Sequence, residues 1–320
     1  MRKPFPYALQ LPAFCAPMFL VSGPDLVAAA CDAGVIGAYP APNCRTTTEL
    51  DAWTADIAQR TAGSRAPWAL NLITHSTYGR LKDELEIVAR HKPPIVITAL
   101  GSPKPVINTV RAYGGLVFAD VVSIKLAKKA VESGVDGLVC VAAGAGGHTG
   151  RLSPFAFISA VREFFDGFVV IGGGIADGAG IAGALAAGAD LVYMGTRFLA
   201  ARESLAQQPF KDMVVACGPD DLVISAAVTG TLASWLRPSL IACGFDPDAP
   251  ALAERNYSVE NPAKKWRDMW SAGQGLQKVT AIEPVATIVD RLACELADAV
   301  ARFQRSVSPT GIRVRDAATA

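Results

Sequence analysis

Charge is scarce in this sequence. Only 18% of its 320 residues are charged, and 30 basic against 29 acidic side chains leave a net charge of +1. Such a balance creates no global field that would draw the chain to nucleic acid or to an anionic membrane surface. Histidine is scarcer still, with three copies, His75, His91 and His148. The seven cysteines are odd in number and scattered, with no CxxC and no tight Cys/His cluster. That pattern argues against a disulfide framework and against structural zinc. No uncharged apolar run of about 18 residues escapes glycine or proline punctuation, so no membrane span is expected. Pro4, Pro6, Pro12 and Pro17 spoil a helical signal core, and the expected location is the cytoplasm.

Apolar residues, by contrast, are plentiful. They make up 51% of the chain, and the mean hydropathy is +0.30. A disordered chain is excluded, a large core is available, and surface remains for a homodimer interface. The apolar runs recur with a rhythm. Short runs at Phe14–Met18, Val35–Ala38, Trp68–Leu72, Ile95–Ala99, Leu116–Asp120, Gly137–Ala142, Phe168–Ile171 and Leu191–Met194 read as strands. Amphipathic stretches separate them, and the phrases Ala33-Gly34-Val35, Gly134-Val135-Asp136 and Gly188-Ala189-Asp190 recur where helix gives way to strand. Parallel strands need crossovers, and helices supply them. Eight such units predict an α/β fold of the closed (β/α)8 barrel type, over residues 1–207. The rhythm stops after Leu199. Residues 208–274 are expected to form a smaller, mostly helical insertion after the eighth strand, 275–305 a returning barrel helix, and 306–320 a loose tail.

Three glycine-rich segments directly follow expected strands: Gly144–Gly150, Gly172–Gly178 and Gly195-Thr196. Strand ends of a barrel share one face, where glycines let backbone N–H groups approach a ligand closely. The loops after the seventh and eighth strands are the usual phosphate cradle of such barrels, here Gly172–Gly174 and Gly195-Thr196. A dinucleotide fingerprint is not met, because Gly172-x-Gly174-x-x-Asp177 and Gly144-x-Gly146-x-x-Thr149 both lack the third glycine. His148 sits between glycines on that face and can serve there as base, acid or charge partner. His91, beside Lys92 at a helix end, suits the surface, and His75 follows the third strand.

In these phrases the chain resembles the nitronate monooxygenase family of FMN-dependent barrels. The resemblance rests on Ala145-Gly146-Gly147-His148, Gly173-Gly174-Ile175-Ala176-Asp177-Gly178 and Met194-Gly195-Thr196-Arg197-Phe198-Leu199, with Ala16-Pro17-Met18, Asn71 and Trp270–Gln274 in support. It implies FMN over the barrel mouth. The phosphate would rest on Gly173, Gly174, Gly195 and Thr196, and the ring on Pro17, Met18 and Asn71, with Gly146 and Gly147 nearby. His148 would be the catalytic histidine, and no metal is implied. Two positions depart from the family pattern: Asp120 stands where many members carry Lys or Gln, and Val141 where many carry a polar residue.

The resemblance implies oxidation of alkyl nitronates or nitroalkanes by O2 to carbonyl compounds and nitrite. An alternative is NAD(P)H-dependent reduction of quinones or enoyl thioesters by the same cofactor. A non-flavin phosphosugar barrel is disfavoured, because no lysine nucleophile or carboxylate pair marks the strand ends. The insertion is expected to lid the site, with Trp235, Trp266 and Trp270 as candidates for its far wall.

Overall fold

The computed structural model describes residues 4–248, 250 and 267–307. Eight parallel strands close into a barrel. They are β1 (Ala13–Cys15), β2 (Ile36–Pro40), β3 (Trp68–Ile73), β4 (Ile95–Ala99), β5 (Leu116–Val121), β6 (Gly137–Val141), β8 (Phe168–Gly172) and β9 (Leu191–Met194). The barrel closes where Phe14 pairs with both Ile36 of β2 and Tyr193 of β9. A short strand, β7 (Gly147–His148), lies outside the barrel order. The alternation of strand and helix read from the sequence is therefore the alternation in the fold.

These strands are apolar on both faces because helices cover the outside and other strands fill the inside. One buried set, including Leu70, Val96, Val117 and Val169, packs outward against the helices. The inward set contains Phe14, Ile36, Ala69, Ile97, Phe118, Val139, Val170 and Leu191, one from each strand. Aromatic rings plug its lower end: Phe5 meets Phe168 edge-on at 5.3 Å, and Phe168 stacks on Phe118 at 6.1 Å.

The recurring Gly-x-Asp phrase has a local reason. Asp136 accepts a hydrogen bond from Val117 N at 2.9 Å and Asp190 one from Val169 N at 2.8 Å, so each carboxylate clamps the start of the neighbouring strand. Element ends shift slightly from expectation. β1 stops at Cys15, short of Pro17, which has no N–H for a ladder. The helix Gly178–Ala186 begins where it does because Asp177 caps it by accepting from Gly180 N at 2.8 Å. The long helix Val285–Val307 packs against the helices Gly178–Ala186 and Pro24–Ala33, with Glu295 accepting from Gly178 N at 3.0 Å.

The segment after β9 supplies the helices Gln208–Ala216 and Arg237–Ala242. It also contributes two strands that the helical expectation did not include, β10 (Leu222–Ser225) and β11 (Ala233–Leu236). They pair antiparallel, and β11 pairs in turn with β7. A barrel loop and the insertion thus share one small sheet. The expected tail beyond 307 and Trp266 lie outside the described residues. Among the described residues no helix is long and apolar enough to cross a membrane.

Candidate active site

Side chains alternate across a strand, so the residue two beyond each inward one also faces the barrel axis. Applied to the inward set, with Ala38 as the upper inward residue of β2, the rule yields Ala16, Pro40, Asn71, Ala99, Asp120, Val141, Gly172 and Tyr193 as an upper layer. All eight line a single cleft of about 2060 Å3 at the carboxyl ends of the strands. Ligand pockets usually hold roughly 300–1,000 Å3, so this one has room for two molecules side by side.

The loops above that layer are tied together by backbone contacts. Gly144 O accepts from Gly174 N at 3.1 Å and from Gln274 N at 2.9 Å, which joins the loops after β6 and β8 to the returning segment. Gly273 lies so close that a Cβ there would stand 2.6 Å from Gly144 O and 2.8 Å from Gly146 N. Gly173 has φ +137°, and a Cβ there would stand 2.5 Å from Ala143 O. Only glycine fits either place.

Every site residue expected from the sequence lines this cleft: Pro17, Met18, Asn71, Gly146, Gly147, His148, Gly173, Gly174, Gly195 and Thr196. Their availability differs. The Gly174 N–H is engaged with Gly144 O, so this residue shapes the loop. Thr196 Oγ1 accepts from Gly273 N at 2.8 Å, which leaves its own hydroxyl hydrogen to donate. His148 is held by β-pairing with Ala233 of β11, and the adjacent Thr149 N donates to Leu232 O at 3.1 Å. The insertion therefore sets the position of this histidine's backbone.

Two features escaped sequence reasoning. Asn43 is buried in the turn after β2; its Nδ2 donates to Met18 O at 3.1 Å and Ser22 O at 2.7 Å, and its Oδ1 accepts from Leu20 N at 2.8 Å. Those bonds pin the loop that carries Pro17 and Met18. The phrase Ala41-Pro42-Asn43 gives only a turn signal, so its partner could not be named from sequence. The second is Tyr193, read only as part of a strand.

The floor is polar. Asn71 Nδ2 donates to Asp120 Oδ2 at 3.4 Å, while Asp120 Oδ1 and the Tyr193 hydroxyl are shielded and have no hydrogen-bond partner in the described structure. Burial pushes the Asp120 carboxyl up to about 7, against the opposing donation from Asn71. Burial, reinforced by Asp120 and Cys15, also raises the Tyr193 hydroxyl.

The remaining expectations sort clearly. His75 lines the rim, with Nδ1 2.7 Å from Thr77 Oγ1. His91 is away from the cleft, paired with Asp51 at 2.7 Å. Trp270 lines the cleft and stacks on Phe210 at 5.1 Å. Trp235 is not a wall residue: it is fully buried among Val228, Ala233 and Leu240 in the small domain's own core. Among the described residues no group of three His, Cys, Asp or Glu could hold a metal ion.

The arrangement suits a flavin. Asp120 Oδ1 and the Tyr193 hydroxyl are orphaned polar atoms that a polar ring edge would satisfy, and the Thr196 hydroxyl can donate to a phosphate. Comparison with known proteins points the same way. The family model for nitronate monooxygenase matches residues 73–295. An octahydro-1H-indene-4-carboxyl-CoA dehydrogenase from Rhodococcus jostii is 31% identical over 73% of this chain, but the match spans only 64% of that protein's length. A nitronate monooxygenase from Paraburkholderia phytofirmans is 28% identical over 92% of this chain and 94% of its own. Among solved structures, FabK from Thermotoga maritima superposes with a TM-score of 0.79 at 25% identity, covering 93% of this chain and 96% of its own. A nitroalkane oxidase from Streptomyces ansochromogenes superposes with a TM-score of 0.77 at 27% identity, covering 92% and 98%.

Proposed function

Since the chain belongs to the nitronate monooxygenase family and is an oxidoreductase of flavin type, we propose that it binds FMN and oxidises alkyl nitronates with O2 to carbonyl compounds and nitrite. The observation that carries this reading is the convergence of His148, the three glycine loops and the polar floor on one cleft. Thr196 donates its hydroxyl to the phosphate, while Gly173, Gly174 and Gly195 leave the space it needs. Pro17, Met18 and Asn71 border the ring, with Gly146 and Gly147 beside it. The bound flavin supplies the electron transfer and the reaction with O2, which no side chain here can supply.

His148 then has two tasks. Towards a neutral nitroalkane it takes the α-proton on a ring nitrogen, leaving the nitronate anion. Towards a preformed nitronate it donates a hydrogen bond to the anion. General base catalysis contributes roughly 10²–10⁴-fold. His148→Asn is therefore expected to lose about that factor on nitroalkane through the missing base, and to show a smaller fall with a raised KM on nitronate through the altered donor, both measured by oxygen uptake. Parental rates on both forms, at every pH from about 6 to 9, would remove His148 from the mechanism.

A second reading is favoured by charge. In a chain of net charge +1, the cleft is lined by Arg45, Arg80, Lys104, Lys129, Arg151 and Arg267, against only Asp120 and Glu132. A small nitronate needs one cation or donor, whereas a phosphorylated handle uses several. The rim thus supports NAD(P)H or a coenzyme A thioester as substrate, in keeping with the carboxyl-CoA dehydrogenase relative. Anaerobic mixing separates the two: flavin bleached by nitronate supports the first, and bleaching by NAD(P)H or an acyl thioester alone supports the second.

A further inference from the structure

Asn71, Asp120 and Tyr193 come from β3, β5 and β9, yet they meet on one floor. Asp120 Oδ2 has a long bond from Asn71, and Oδ1 has none although it is shielded from solvent. The titratable groups that couple to this carboxyl are Tyr193 on β9 and Cys140 on β6, with Cys15 of β1 next to Tyr193; all three are themselves pushed towards their neutral forms by burial. No cation is among the groups that shift Asp120. A buried carboxyl without a counter-charge keeps its proton, and a protonated carboxyl is a donor where a carboxylate is acceptor only.

Building on the flavin reading above, we propose that Asp120 seats the ring of the bound cofactor as a neutral carboxylic acid, donating its hydrogen to a ring acceptor, so that the flavin is held tightly only while that proton is in place. The residue is a positioning group for the cofactor, and it performs by a titratable proton what a fixed cation or amide could do at the same point. Burial puts the midpoint near neutrality, at about 7. If only the protonated form binds, apparent affinity falls with the competent fraction, by up to about thirtyfold between pH 6 and 8.5.

The test is equilibrium titration of apoprotein by flavin fluorescence quenching across that pH range, with wild type and Asp120→Asn. FMN is one probe. Riboflavin, which has no phosphate to titrate, is the other. Wild type is expected to weaken about thirtyfold towards high pH with both probes. Asp120→Asn, whose amide donates at every pH, is expected to give a flat profile with riboflavin. A flat wild-type profile, or the same fall in Asp120→Asn, overturns the proposal. Infrared difference spectra of the two apoproteins offer a readout independent of flavin: a protonated carboxyl band at pH 6 that disappears above neutrality is expected, and its absence at pH 6 overturns the proposal. Failure of both probes to bind at any pH, with that band present, overturns the flavin reading itself and the proposal with it.

Discussion

Along β3, β5 and β9 the inward face changes character within one alternation. Ala69, Phe118 and Leu191 are sealed in the barrel, and Phe118 packs on both Phe14 and Phe168. Two residues further along the same strands stand Asn71, Asp120 and Tyr193, whose polar atoms face a cleft and are poorly partnered. Backbone and periodicity are identical in the two layers, so the difference lies entirely in side-chain chemistry. The lower layer spends its surface on packing, which holds the barrel closed. The upper layer leaves polar groups unsatisfied, a cost that a ligand can repay. In such barrels stability and binding are separated by height along the strand.

Phe118 is the inward side chain shared between the packed rings of Phe14 and Phe168 in the lower layer. Truncating a buried phenylalanine costs about 3–5 kcal/mol. Phe118→Ala is expected to lose that much in urea denaturation, and a loss below about 1 kcal/mol would show that the lower layer is not the structural one. Asp120 sharpens the contrast with the opposite sign. Its carboxyl in the folded chain is raised from the ordinary 3.8 to about 7. A raised folded value means that its stabilising contribution is complete below about pH 3.8 and is lost as pH rises through about 7. Wild type should therefore fall behind Asp120→Asn by about 2–4 kcal/mol between pH 4 and 7 and run parallel to it above. A constant difference across that range would contradict an acid shielded from water and without a counter-charge.

The barrel was legible because each strand is a short apolar run buried on both faces, and because the Gly-x-Asp phrases mark the joins that Asp136 and Asp190 clamp. The upper layer was legible in part. Asn71 and Asp120 are singled out through the family resemblance, one as a match and one as a departure, whereas Tyr193 reads as an ordinary strand residue until its register places it above Leu191. The insertion was hard to read for a physical reason. β7 is two residues long, and its pairing with β11 joins segments about 85 residues apart, which leaves no local period to detect. Trp235 shows the same limit, since an aromatic residue near a site can as well be the core of a small domain as a wall of the pocket.

The central claim, that the upper layer and its glycine loops seat FMN, is tested most directly by titrating the apoprotein with FMN and following fluorescence, in wild type and in Thr196→Val. Removing one hydrogen bond to a charged group costs roughly 1.5–3 kcal/mol, about a tenfold to hundredfold loss in affinity. One FMN is expected to bind per wild-type chain, with a dissociation constant weaker by that factor in Thr196→Val. No binding by the wild type, or equal constants for the two proteins, would contradict that claim.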